Sequence, residues 1–128
     1  YGMTVERIVN CGGISGKNAL LMQIYADVMG RPLEISKSAQ TCALGAAMAG
    51  AVVAGKAAGG HDSFAKAAKA MVHADDKVYR PVEENRKIYD RLFRLYRKMH
   101  DSFGVRGYQE GLFEVMKELL AIRDEARA

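Results

Sequence analysis

The apolar positions in the first third of the chain change from a strand-like run to a helical repeat and back. A β-branched run, Val5–Cys11, stops at Gly12 and Gly13, which predicts a buried strand that ends in a turn. A helix follows with its N-cap at Asn18, and Pro32–Ser36 predicts a second short strand. The apolar positions of the helix are Leu20, Leu21, Ile24 and Val28. This order of elements is typical of α/β proteins.

The next segment, "TCALGAAMAGAVVAG", predicts a helix that begins at Thr41 or a neighbour and has one face with almost no side-chain bulk. That face consists of Ala43, Ala46, Ala47, Gly50, Ala51 and Ala54. An internal glycine costs a helix ~1 kcal/mol relative to alanine. Gly45 and Gly50 therefore predict that this helix packs closely against a sheet or another helix.

The second half of the chain is predicted to be helical. A flexible turn at residues 55–63 precedes a short helix, "FAKAAKAMV", and a polar connection, "HADDKVYRPVEEN", leads to a long helix from Glu83 to about Phe103. The apolar stripe of the long helix is Ile88, Leu92, Tyr96, Met99 and Phe103. A last amphipathic helix, "EGLFEVMKELLAIRDEAR", is expected to bury Leu112, Met116, Leu119 and Leu120.

These elements predict an α/β fold with two short strands and about five helices. Sheets usually have four to six strands, so two strands give too little surface for this many amphipathic helices. We therefore interpret the chain as the incomplete, second half of an α/β domain. Residues 1–60 form a predicted βαβα unit, and residues 61–128 form C-terminal helices.

Composition excludes several other classes of protein. The chain has 128 residues, of which 49% are apolar and 27% charged, which is ordinary for a globular domain. The weakly polar stretch Thr41–Gly55 is shorter than the roughly 20 apolar residues that a membrane span needs. Cys11 and Cys42 have no metal-ligand spacing, so we expect reduced thiols in a cytoplasmic protein and no metal site. Because the chain starts at Tyr1, we expect a processed N-terminus or a piece of a longer protein.

The excess of basic residues behind the net charge of +4 is carried mainly by Lys77–Arg106, which has nine Lys or Arg and four acidic residues. On the long predicted helix within this stretch, Lys87, Arg91, Arg94 and Lys98 form a basic stripe. Such a stripe permits a nucleic-acid-binding module as an alternative function. On a helix whose other face is apolar, however, a charged stripe is more often a solvated face, and we favour that interpretation.

The stretch "NCGGISGKNALL", residues 10–21, resembles a phosphate-binding loop but matches neither common nucleotide motif. A Walker A loop would need glycine where Cys11 stands and serine or threonine where Asn18 stands. The dinucleotide pattern G-x-G-x-x-G is also absent from the sequence. What remains is a glycine pair between a strand and a helix N-terminus, where a ligand can approach the backbone closely. The residues alone favour a structural turn.

The order of three sequence motifs favours a functional role for this turn instead. The stretches "CGGISGKNALLMQIYADVMGRPLEI", "QTCALGAAMAGAVVAG" and "VYRPVEENRKIYDRLFRLYRKMHDSFG" together resemble the C-terminal domain of the FGGY family of carbohydrate kinases. The third is similar to family members that phosphorylate L-ribulose. The resemblance covers nearly the whole chain and implies part of an actin-like, ribonuclease H-like fold. In that fold, ATP and sugar bind between two α/β domains.

The resemblance implies a nucleotide-binding role for Gly12, Gly13 and Asn18. In the family, the glycine turn touches the adenosine part of ATP, and the asparagine at the helix start adds a side-chain hydrogen bond. The loop is one residue longer than in the related glycerol kinases, and Lys17 is expected to be exposed to solvent instead of bound to phosphate. Cys42 stands where the family has a small residue or proline, and we assign it to packing only.

The resemblance also implies what this chain lacks. The catalytic base, the sugar contacts and the phosphate loops of the family lie upstream of Tyr1, so no residue here is assigned as catalytic or metal-binding. The implied function is ATP- and Mg²⁺-dependent phosphorylation of L-ribulose to L-ribulose 5-phosphate, with a xylulose or glycerol type of kinase as the alternative. We expect the isolated chain to be inactive and to self-associate, with no nucleic-acid or membrane partner.

Overall fold

The computed structural model describes residue 2 and residues 4–128, and within them it has five α-helices and a three-stranded sheet. The strands are β1 (Val9–Asn10), β2 (Leu33–Ser36) and β3 (Ala74–Tyr79). The α-helices are α1 (Ala19–Met29), α2 (Thr41–Ala54), α3 (Phe64–Met71), α4 (Glu83–Gly104) and α5 (Val115–Glu125), with a short 3₁₀ helix at Lys56–Ala58. The predicted α/β class is confirmed.

The sheet has the order β1-β2-β3 and is mixed. Strands β1 and β2 are parallel, with Val9 opposite Glu34 and Asn10 opposite Ile35. Strands β2 and β3 are antiparallel, and the register shifts between Glu34 and Ser36. Among the described residues β1 is therefore an edge strand, and its outer side is available for pairing.

The expectation of only two strands was wrong, because β3 forms within the segment predicted to be a polar connection. The middle of β3 is exposed, and only Tyr79 is buried. Its sequence "ADDKVY" lacks the alternation of apolar and polar residues that marks a half-buried strand. Backbone pairing with β2 and the burial of Tyr79 at its end stabilise the strand instead.

The first predicted strand also differs from expectation. Only Val9–Asn10 pairs with β2, whereas Val5–Cys11 was predicted to be a buried strand. Val5 is 53% exposed and Val9 is 43% exposed. Val5 lies outside β1, and the described residues cover neither side chain fully.

The core lies between α1 and the sheet. Met22 and Ala26 from α1 are almost fully buried against Leu33, Ile35 and Tyr79 from β2 and β3. Ile8 and Leu21 pack against the same cluster and are partly buried. Because α1 supplies two of the five central residues, the core depends on how α1 packs against the sheet.

Helix α2 has its small-residue face turned to solvent. Its half-buried side chains include Leu44, Met48 and Val52, and the helix packs against α3, where Ala67 is fully buried. A Cβ atom added at Gly45 or Gly50 would meet no atom within 4 Å. The close packing predicted for these glycines is therefore absent from the described residues.

The chain divides into two compact units, Tyr1–Pro81 and Val82–Ala128. The division lies later than the predicted one at residues 60/61. It does so because β3 pairs with β2 and α3 packs on α2, which joins both elements to the first unit. The prediction that residues 1–60 form the unit on the nucleotide side of the kinase domain stays a prediction.

The second unit consists of α4 and α5, and the apolar face predicted for α5 was wrong. The buried residues of α5 are Val115 and Ile122. Of the residues predicted to be buried, Leu119 is half-buried, while Leu112, Met116 and Leu120 are exposed. Ion pairs from Arg91 on α4 to Glu118 and Glu125 bring this other face of α5 against α4.

The apolar stripe predicted on α4 is only partly covered. Ile88 and Leu92 are half-buried, whereas Tyr96 is 61% exposed and Phe103 is 87% exposed. Within the second unit, the N-terminal half of this stripe is therefore more buried than its C-terminal half.

Two glycine-to-alanine changes test the packing around α2. We expect Gly50→Ala to raise the stability of this chain by up to ~1 kcal/mol, because alanine favours the helix and meets open space. Gly60→Ala should destabilise it by about 1–3 kcal/mol, because the new Cβ would lie 2.0 Å from the Ala51 carbonyl oxygen. Urea denaturation followed by circular dichroism measures both changes. Loss of stability in Gly50→Ala would show that this face is packed.

Candidate functional site

The candidate site is the turn that joins β1 to α1. Gly12 has a φ of +95°, a backbone conformation that residues with a side chain rarely adopt. Its carbonyl oxygen accepts hydrogen bonds from the Ser15 N–H (3.2 Å) and the Ser15 hydroxyl (2.7 Å). Ser15 is only 5% exposed, so it anchors the turn from inside. This role of Ser15 was not predicted from the sequence, where its only signal is a hydroxyl three residues after the first glycine of the turn.

The second half of the turn leads directly into the helix. The Ile14 carbonyl oxygen accepts from the N–H groups of Lys17 (3.1 Å) and Asn18 (3.0 Å). The Asn18 side-chain oxygen then accepts from the Leu21 N–H at 3.0 Å, which makes Asn18 the N-cap of α1, as predicted. The cap occupies one lone pair of this oxygen, and the side-chain amide N–H groups of Asn18 are available to donate to a ligand.

The structure brings the three predicted site residues together in one turn. Gly13 and Asn18 are exposed, Gly12 is half-buried, and a Cβ on either glycine would meet no atom within 4 Å. The turn lies at the carboxyl end of a parallel strand, which is where α/β sheets bind ligands. The backbone is therefore open to close approach by a ligand. Lys17 is exposed, as expected.

Asn10 adds a connection that the sequence analysis did not find. Its side-chain oxygen accepts from the Cys11 N–H at 2.9 Å, and its Nδ2 lies 3.1 Å from the Met22 sulfur. The last residue of β1 is thereby linked to the buried face of α1. A polar residue at the end of a strand, directly before a glycine turn, is the only signal of this role in the sequence.

The described part of the chain offers no group of three or more metal-ligating side chains. Both cysteines are exposed free thiols. Among the described residues, no helix has the length and apolar character needed to cross a membrane.

The basic stripe of α4 is partly neutralised within the second unit. The Arg91 guanidinium donates to Glu118 at 2.8 Å and to Glu125 at 2.5 Å. These hydrogen bonds raise the pKa of Arg91, and the one to Glu125 has the largest effect. Lys98 lies 3.7 Å from Glu110. Two of the four predicted cations therefore face acidic side chains.

The site region matches the model of a known protein family. Residues 1–54, which contain β1, the glycine turn, α1, β2 and α2, match the model of the FGGY family of carbohydrate kinases, C-terminal domain. The predicted resemblance is confirmed for this region.

Similarity to particular members of the family extends over nearly the whole chain. The chain is 45% identical over 127 residues to a ribulokinase of Geobacillus thermodenitrificans, covering 99% of this chain and 22% of that protein. It is 43% identical over 122 residues to a ribulokinase of Halalkalibacterium halodurans, covering 95% of this chain and 21% of that protein. A ribulokinase of Staphylococcus aureus strain Newman is 36% identical to this chain over 125 residues, and the match covers 98% of this chain and 21% of that protein.

The two comparisons agree with the sequence motifs. The chain resembles the C-terminal domain of FGGY carbohydrate kinases and, within that family, ribulokinases. It spans about a fifth of the length of the curated relatives it matches.

The ion pairs of Arg91 predict an acid-sensitive second unit. The hydrogen bond from Arg91 lowers the pKa of Glu125 below its usual 4.5. The pair therefore stabilises the folded state above about pH 4.5, and this contribution is lost as the pH falls through the lowered pKa. We expect Glu125→Gln to reduce the fall in Tm on acidification.

The matched control is Asp90→Asn, which removes a carboxylate charge from an exposed position in the middle of α4, away from the helix N-terminus. Its Tm should follow the wild-type pH dependence. If Glu125→Gln and the wild type lose stability in parallel below pH 4.5, the pair contributes nothing measurable.

Proposed function

We propose that this chain supplies the adenosine side of the ATP site in a sugar kinase that converts L-ribulose to L-ribulose 5-phosphate. Similarity to ribulokinases over 95–99% of the chain is the observation that carries the proposal. The conformation of the Gly12–Asn18 turn supports it, because glycine backbone with open space around it, at the carboxyl end of a parallel strand, allows a ligand to approach closely. Gly12 and Gly13 allow the nucleotide to approach, and the Asn18 amide donates a hydrogen bond to it.

The remaining parts of the reaction belong to the rest of the proposed kinase. Phosphoryl transfer needs a base for the sugar hydroxyl, a phosphate cradle and Mg²⁺ ligands. We assign none of these to the 128 residues, since no aspartate here has the sequence context that the family uses. ATP and Mg²⁺ are accordingly cofactors of the full-length enzyme, and this chain contributes binding and positioning.

Two alternatives remain as competing proposals. A xylulose or glycerol type of sugar kinase would use the same adenosine-side turn and differ in sugar contacts outside this chain. A nucleic-acid-binding module would rely on the basic stripe of α4. The engagement of Arg91 and Lys98 with Glu118, Glu125 and Glu110 disfavours that module, because it lowers the positive charge left for phosphates.

We also propose a cytoplasmic location and self-association of the isolated chain. Free thiols at Cys11 and Cys42 are those expected in a reducing compartment. The open edge of β1 and exposed apolar side chains such as Val9 and Phe103 favour contacts between copies. As part of a sugar kinase, the chain would need neither a membrane nor a nucleic acid as a partner.

The isolated chain should have no kinase activity. It would hold one wall of a nucleotide site without a base, a phosphate cradle or Mg²⁺ ligands, so the transferred group could not be positioned. A coupled assay of ADP production with ATP, Mg²⁺ and L-ribulose measures this. Ribulose-dependent ADP production by the purified chain would contradict the proposal.

Asn18→Ala in the full-length kinase should raise the KM for ATP about fivefold, the effect of one lost hydrogen bond, and leave the ribulose KM unchanged. It should also cost ~1 kcal/mol of stability, because the N-cap is lost.

A second substitution separates these two roles of Asn18. Asn18→Ser keeps a capping oxygen but has no amide group, so stability should be retained while the KM for ATP still rises. An ATP KM that rises in neither variant, or in Asn18→Ala alone, would mean that Asn18 is only a cap.

A further inference from the structure

A buried carboxylate on α1 has a hydrogen-bond partner on the same helix. Asp27 is 1% exposed, and a buried carboxylate is costly unless hydrogen bonds satisfy it. The Gln23 side-chain nitrogen lies 2.8 Å from Asp27 Oδ1 and donates to it. Gln23 is half-buried and one helical turn before Asp27. The pair therefore places a directional polar contact inside an otherwise apolar face that contains Met22 and Ala26.

The same Gln23 nitrogen connects α1 to the sheet. It also donates to the Arg80 carbonyl oxygen, at 2.7 Å. Arg80 directly follows β3 and the core residue Tyr79. An amide nitrogen carries two hydrogens, so these two contacts use its whole donor capacity.

A second connection meets α1 at the adjacent residue. The Asn10 amide donates to the Met22 sulfur, which links the end of β1 to α1. Polar contacts at Met22 and Gln23 therefore join α1 to the ends of two different strands. Shifting α1 by one residue would move each of its side chains ~1.5 Å along the helix axis and ~100° around it, which would break both contacts.

These contacts lie one turn from the candidate nucleotide contact. The Met22 N–H donates to the Asn18 carbonyl oxygen at 3.2 Å, so Asn18 begins the turn of helix that the two contacts hold. Whatever fixes α1 on the sheet also fixes the direction of the Asn18 amide and the path of the glycine turn. A misplacement of about 1 Å is enough to weaken a positioned contact strongly.

We infer that Gln23 is a positioning residue for nucleotide binding, acting through α1 on Asn18 and the Gly12–Gly13 turn. This inference rests on the proposed function, since it names a further residue that serves the same site. Gln23 does not itself touch the nucleotide. Its amide holds the helix whose N-terminus does.

The test uses the full-length kinase and the substitution Gln23→Met. Methionine keeps the length and helix propensity of glutamine but donates no hydrogen bonds. The matched control is Gln109→Met, the same change at an exposed position between α4 and α5. We expect Gln23→Met to raise the KM for ATP and the Kd for a fluorescent ATP analogue about tenfold. The ribulose KM should stay within about twofold, and the control should match the wild type.

Three outcomes decide the inference. Weaker nucleotide binding with an unchanged ribulose KM supports it. A lower Tm with unchanged nucleotide affinity, or an equal rise of both KM values, would overturn it, because Gln23 would then only stabilise the fold. If Gln23→Met does not fold, Gln23→Asn applies the same criteria, since its amide is one methylene too short to reach both partners. A wild-type kinase without ribulose-dependent ADP production would instead refute the proposed function.

Discussion

The packing of α1 against the sheet is the constraint on which the core of the first unit and the candidate site depend. Met22 and Ala26 fill the space above Leu33, Ile35 and Tyr79, and this cluster is the core of the unit. The hydrogen bonds from Gln23 to Asp27 and to the Arg80 carbonyl oxygen add directional contacts to this apolar packing. Because α1 begins at the turn that carries the candidate site, the same packing that stabilises the fold also determines the direction of the site residues.

Both units leave part of their surface uncovered. The first unit has a compact core but an open strand edge at β1 and an exposed small-residue face on α2. The second unit leaves Tyr96 and Phe103 of α4 exposed. These surfaces support the proposal that the chain acts within a longer kinase, in which additional strands and helices would pack on them.

Local signals in the sequence were enough to predict the candidate turn. An asparagine cap, a glycine pair and a helical repeat each act over a few residues, so the position of Asn18 at the start of α1 could be predicted. Strand β3 could not, because it depends on pairing with β2 some forty residues earlier in the chain. The buried face of α5 was also missed, since its ion pairs with Arg91 depend on which face α4 presents.

The site itself was predictable only in part. The roles of Gly12, Gly13 and Asn18 were inferred from resemblance, and the conformation of the turn is compatible with them. The supporting contacts of Ser15, Asn10 and Gln23 join residues whose types alone do not indicate a partner. Such side-chain contacts depend on tertiary structure and leave no periodic pattern in a single sequence.

Photolabelling of the full-length kinase with 8-azido-ATP tests the central claim most directly, because the reactive group marks residues beside the adenine. After tryptic digestion, the account predicts an adduct on the peptide Ile8–Lys17, which contains the glycine turn, and excess ATP should prevent it. Adducts that ATP suppresses but that lie entirely outside this turn and α1 would contradict the account.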